Sequence, residues 1–126
     1  MVFIKFQMVT KLSLFNRKMS AVPILLDPLT PEFMIVGLLT LDLHIPEAHS
    51  LKEKRFVIKS LIDRIKNKFN VSAAEVDAND LWQRSVIGIA YVSNETVMIN
   101  KVFEQIRNLV VSIHSVELIN AHMELL

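Results

Sequence analysis

Between Met34 and Leu126 the hydrophobic period changes from two residues to about 3.6 and back, and does so twice. Few folds accept that order. Residues 34–45, MIVGLLTLDLHI, place Ile35, Leu39, Leu41, Leu43 and Ile45, with Gly37, on one face. Val36, Leu38, Thr40, Asp42 and His44 fall on the other. Period two of this kind marks a strand with one apolar and one mixed face. Pro46 ends it. Ser50 and Glu53 then form an S-x-x-E capping box. Leu51, Ile58, Leu61, Ile62, Ile65 and Phe69 follow at helical spacing, with Asn70 as the C-cap. Val71–Val76 reads as a second strand and Asp77–Asp80 as a turn. Arg84–Ser93 is apolar at nearly every position, as a central strand requires. Ser93 or Asn94 caps a second helix with the stripe Val102, Phe103, Ile106, Leu109, Val110 and Ile113. Val116–Leu125 closes the pattern as a strand, with Ile119, Ala121, Met123 and Leu125 inward.

Two strand–helix–strand units in tandem predict a split βαβ, ferredoxin-like α+β fold. Right-handed crossovers put both helices on one face of a four-stranded antiparallel sheet. The 126 residues suit a single domain of ordinary size. Cysteine is absent, which excludes a disulfide framework and thiolate chemistry and fits a cytoplasmic protein. Residues 1–33 read differently. Lys5, Lys11, Arg17 and Lys18 precede any acid, and Pro23, Pro28 and Pro31 oppose regular structure. The lysines interrupt every hydrophobic run, a poor fit to a secretory signal. This segment is expected to be an extraneous or disordered leader ahead of a start at Met34, an organelle-targeting leader being the alternative. No run reaches the roughly 18 apolar residues of a membrane span, so no membrane partner is expected.

Charge is unevenly placed. Residues 34–126 carry ten Lys/Arg against eleven Asp/Glu, so the domain is not a generally basic nucleic-acid binder. Residues 50–69 hold seven basic side chains against two acidic ones. On a helix turning 100° per residue, Lys52, Arg55, Lys59 and Lys66 cluster within about 60°, with Asp63 beside them. Concentrated positive charge is what phosphate binding needs, and the amides at the Ser50 end add to it. A solvated helix face accounts for the same residues more simply. Trp82, the sole tryptophan, stands at a strand entrance beside Arg84. An indole there stacks on a base, anchors an interface, or covers the end of the core. Arg84 has Asp77, Asp80 or a ligand anion as partner.

The sheet face away from the helices is the unusual surface. The third strand is apolar in both registers: Val86, Gly88 and Ala90 on one side, Ile87, Ile89 and Tyr91 on the other. A solvated face should alternate to polar. An apolar row there predicts a partner, most simply a second copy of the chain. Val36, Leu38, Ile87, Ile89 and Tyr91 are the candidate homodimer interface. The strand lacks the aromatic pair with which an RNA recognition motif stacks bases. His44, His49, His114 and His122 share no ligand spacing, so no metal is expected. Asp42 and His44 lie two apart on one face and can pair, but no nucleophile accompanies them. Gly37 and Gly88 are the only glycines, which rules out a Gly-rich phosphate loop. No catalytic residue and no cofactor are expected.

Ser50-Leu51-Lys52 with Lys54-Arg55, Phe69-Asn70-Val71-Ser72, and Leu81-Trp82-Gln83-Arg84 carry a likeness. From Met34 to Leu126 the chain resembles the YlxP-like bacterial family of unknown function. The resemblance implies a ferredoxin-like fold, a start near Met34 and no assigned catalytic residue. It also implies a translation-associated context, since genes of that family often lie beside ribosome-maturation genes. The expected function is that of a non-enzymatic, self-associating domain. It would bind RNA or a ribosomal particle through Lys52, Arg55, Lys59 and Lys66, with Trp82 and Arg84 as lesser contributors. The alternative is a small-ligand sensor or assembly module acting at a homodimer interface.

Overall fold

The computed structural model describes residues 34–126, so the leader expected over residues 1–33 lies outside the described residues. Six elements follow in order: β1 (Ile35–His44), α1 (Leu51–Lys68), β2 (Ser72–Asp77), β3 (Arg84–Ser93), α2 (Thr96–Val111) and β4 (Glu117–Leu125). The strands form one antiparallel sheet in the order β2-β3-β1-β4. Both helices cover the face that carries Leu39, Leu41, Leu43, Ile87 and Ile89, all buried.

Each helix starts for its own reason. Ser50 holds extended backbone angles and its Oγ accepts from the Glu53 amide at 3.1 Å. Glu53 Oε1 accepts from the His49 amide at 2.7 Å, one residue ahead of the reciprocal bond that a capping box predicts. Lys66 and Lys68 suit the negative end of the α1 dipole. Phe69 is the C-cap, one residue before the expected Asn70, with its amide on the Ile65 carbonyl at 2.8 Å. The N-cap of α2 is Glu95, not Ser93 or Asn94, and no side chain caps the helix. Ser93 Oγ instead accepts from the Glu95 amide at 3.1 Å and shapes the turn before it. Burial of Ile99, Val102, Phe103, Ile106 and Val110 holds α2. It lies close on β1 because Gly37 has no side chain: a Cβ there would come within 2.5 Å of Ile99.

Both edge strands carry a register shift. Leu43 pairs with Leu118 while Asp42 pairs with Asn120, which leaves Ile119 as the extra residue of a β-bulge. The expected inward position of Ile119 is therefore corrected. Leu118 packs against the core in its place, and Ile119 is 52% exposed. Met123, also expected inward, pairs with Leu39 but stays 36% exposed on the open edge. In β2, Glu75 pairs with Ile87 and Asp77 with Val86, so Val76 is the bulged residue.

Candidate functional site

The inner row of α1, Ile58, Leu61 and Ile65, is buried against the sheet, and this fixes where its cations point. Lys52, Arg55, Lys59 and Lys66 are all exposed. Their arc is centred about 120° round the helix from the buried row, along the flank. Lys59 Nζ donates to Asp63 at 2.9 Å, an exposed i,i+4 pair of small energetic weight. Phe56 stands about 40° beyond Lys52 and is 75% exposed. It is the most exposed aromatic side chain among the described residues, and its neighbours one turn away are Lys52, Glu53, Lys59 and Ser60. Outside residues 50–69 the domain holds three basic side chains against nine acidic ones, so positive charge is concentrated on this helix.

One cation of the segment turns inward. Lys54 is 0% exposed, and its ammonium donates to Glu75 Oε2 at 2.6 Å, the Ala78 carbonyl at 2.9 Å and the Asn79 carbonyl at 3.2 Å. Ser85 Oγ donates to the same Glu75 oxygen at 2.6 Å. All three ammonium protons have partners, which is the condition for keeping a lysine under a helix. Ala78 has φ of 60°, the left-handed region, and its carbonyl also accepts from the Leu81 amide at 3.1 Å. Lys54 is one of the seven basic side chains of residues 50–69 and stands outside the exposed stripe. Its spacing, four before Ile58 and seven before Leu61, is the signal that places it on the buried row.

The turn between β2 and β3 lies at the end of the sheet where α1 begins, tied there by Lys54 and by Gln83. Gln83 Nε2 donates to the Pro46 and Ala48 carbonyls at 3.0 and 3.1 Å. Trp82 is 53% exposed in this turn and does not seal the core. Arg84 leaves the group. Its Nη2 donates to both oxygens of Asp42, at 2.8 and 3.0 Å, rather than to Asp77 or Asp80. It therefore belongs to the open sheet face, opposite the helices.

On that face the antiparallel register sets Val36 beside Val92, Leu38 beside Ala90 and Thr40 beside Gly88. The candidate interface is corrected accordingly. Ile87 and Ile89 point under the helices at 0% and 2% exposure, and Tyr91 stacks edge-on against Phe103 with ring centroids 6.5 Å apart. Val86, Ala90 and Val92 join Val36 and Leu38 on the open side, and Val76 lies over Gly88. The rest of the face is polar. Asp42 binds Arg84, and His44 Nδ1 lies 2.8 Å from Glu117 Oε1, so Asp42 and His44 pair separately rather than with each other. Thr40 faces His122, and Leu38 faces Glu124.

A cleft of about 610 Å³ opens beside the first turns of α1. Ile45, Ala48, Phe56 and Val57 form its apolar wall, and Ser50, Lys52, Glu53 and Ser115 are among its polar groups. Among the described residues, no three His, Asp or Glu side chains converge as a cation site, and no helix is long and apolar enough to cross a membrane.

Strand order, antiparallel pairing and one-sided helices define a ferredoxin-like α+β domain. Within that class the chain belongs to the family described as "Protein of unknown function (DUF503)", whose model matches residues 36–123. It is 39% identical over 83 residues to "Uncharacterized protein YlxP" of Bacillus subtilis (strain 168), covering 66% of this chain and 90% of that protein. The YlxP-like resemblance read from the sequence is thus borne out. Among solved structures, "De novo designed protein Foldit4" aligns with a TM-score of 0.42 and 13% identity, over 74% of this chain and 93% of that one.

Proposed function

We propose that the domain is a non-enzymatic, cytoplasmic RNA-binding module that engages structured RNA or a ribosomal particle through the outer flank of α1. The observation that carries this reading is the exposed row Lys52, Arg55, Lys59 and Lys66 on a domain otherwise dominated by acids. A local cationic row attracts phosphates by releasing condensed counterions, whatever the net charge elsewhere. Trp82 stands exposed at the same end as Lys52 and adds a stacking group. Arg84, engaged with Asp42 on the other face, has no part in this surface. The open sheet face, with Val36, Leu38, Val86, Ala90 and Val92, serves self-association, and supports it by leaving apolar side chains without helical cover.

Co-sedimentation with ribosomes and titration of ribosomal RNA over a range of salt test the proposal. Replacing Lys52, Arg55, Lys59 and Lys66 together by glutamine should abolish co-sedimentation and flatten the salt slope by about 0.9 per lost phosphate contact. A quadruple variant that binds like the wild type would sink the idea. For self-association, light scattering should show a dimer that Leu38→Glu converts to monomer. A monomeric wild type removes that part of the proposal and leaves the RNA surface standing.

A further inference from the structure

Phe56 is the one large side chain on α1 that its packing does not explain. It stands away from the buried row and is 75% exposed. One turn before it is Lys52, and three residues after it is Lys59. Its ring also closes the cleft beside the start of α1, where Ile45, Ala48 and Val57 supply the rest of an apolar wall. The rim carries Lys52 beside the Glu47 and Glu53 carboxylates, so phosphates are placed on the outer flank with Lys52, Arg55 and Lys59, while the apolar wall suits a base. Together these fit a nucleotide whose base is free to leave its neighbours. A base inside a duplex has both faces covered and cannot reach a ring on a helix surface, whereas single strands stack on aromatic side chains.

We infer that the α1 site takes an unpaired nucleotide, its base stacked on Phe56 in the cleft and its phosphates beside Lys52, Arg55 and Lys59. This rests on the RNA-binding reading and narrows its substrate to single-stranded segments. Ser50, whose Oγ already accepts from the Glu53 amide, and Ser115 line the cleft, and their hydroxyls can donate to a base edge. Glu53 keeps Oε1 on the His49 amide, which leaves Oε2 to accept from a base amino group. The site selects unpaired RNA by stacking, and the cation row supplies affinity without regard to sequence.

The test is fluorescence anisotropy of the full chain with labelled oligoadenylate, oligouridylate and the duplex of the two. Single strands should bind about tenfold more tightly than the duplex. Phe56→Leu, which keeps an apolar wall but has no ring, should lower single-strand affinity about tenfold with the salt slope unchanged, and Phe56→Tyr should restore it. Unaltered melting of both variants by circular dichroism is expected because residue 56 is exposed. Equal affinity for duplex and single strands, or a Phe56→Leu variant that binds single strands like the wild type, overturns the inference. Either result leaves the cationic RNA surface intact. A wild type that binds none of the three probes also overturns the inference, and ribosome co-sedimentation then decides the RNA-binding reading on its own.

Discussion

The two helices hold equivalent places in the two βαβ halves and reach the sheet by different means. Helix α2 has no side-chain cap, no acid in its first turn and no base in its last, and five buried apolar side chains fix it. Helix α1 buries three apolar side chains and a lysine, and adds a serine cap and a charged last turn. Helix α2 is held by the hydrophobic effect on one face, and its other face, Val97 and Val111 included, stands exposed. Helix α1 draws part of its stability from caps and hydrogen bonds, so its outer faces are free to present cations and an exposed ring. The contrast is one of means: α2 relies on buried apolar side chains, whereas α1 adds a cap and a buried, hydrogen-bonded lysine.

The same residue type on the two helices gives the sharpest test. Phe103→Ala should cost about 3–5 kcal/mol in urea unfolding, because the ring is fully buried against Gly37 and Tyr91. Phe56→Ala should stay within about 0.5 kcal/mol of the wild type. Equal losses would break the comparison. Next in size is Lys54→Met, which takes the cation from the Glu75 carboxylate, left with Ser85 Oγ alone, and a donor from the Ala78 and Asn79 carbonyls. A loss of about 3 kcal/mol is expected. Glu75→Leu added to it should recover part of that loss, a coupling that a double-mutant cycle measures.

Capping separates the helices on a smaller scale. Ser50→Ala should lower stability by about 1 kcal/mol. Glu95→Ala, at an N-cap whose side chain makes no cap bond, should change it by less than about 0.5 kcal/mol. A change of opposite sign belongs to the turn that Lys54 holds. Ala78→Gly relieves a left-handed residue at a cost of about 1–2 kcal/mol but adds unfolded-state freedom of about 0.4–1 kcal/mol, for a net gain near 0.5 kcal/mol in thermal melts.

The architecture was legible because the hydrophobic period distinguishes strand from helix, and the six elements fall within a residue or two of the expected bounds. The face of β3 was not legible, since both of its rows are apolar. The larger side chains, Ile87, Ile89 and Tyr91, went under the helices, where they bury more surface, and the smaller Val86, Gly88 and Ala90 were left outside. Side-chain volume was the unused signal. The β4 alternation failed at Ile119 because a bulge inserts a residue without any mark in the pattern. At the candidate site, the positions of Lys52, Arg55, Lys59 and Lys66 on one exposed flank followed from 100° geometry. Phe56 was missed although the same projection sets it between Lys52 and Asn67. The burial of Lys54 was not read from the sequence, although its spacing to Ile58 and Leu61 marks it.

The saturated ammonium of Lys54 has a practical consequence. Amine-reactive reagents will acylate Lys52, Lys59 and Lys66 at once and pass over Lys54 while the helix stays seated. Delayed labelling at that one position, read by mass spectrometry, would time the opening of α1 from the β2–β3 turn without any engineered probe.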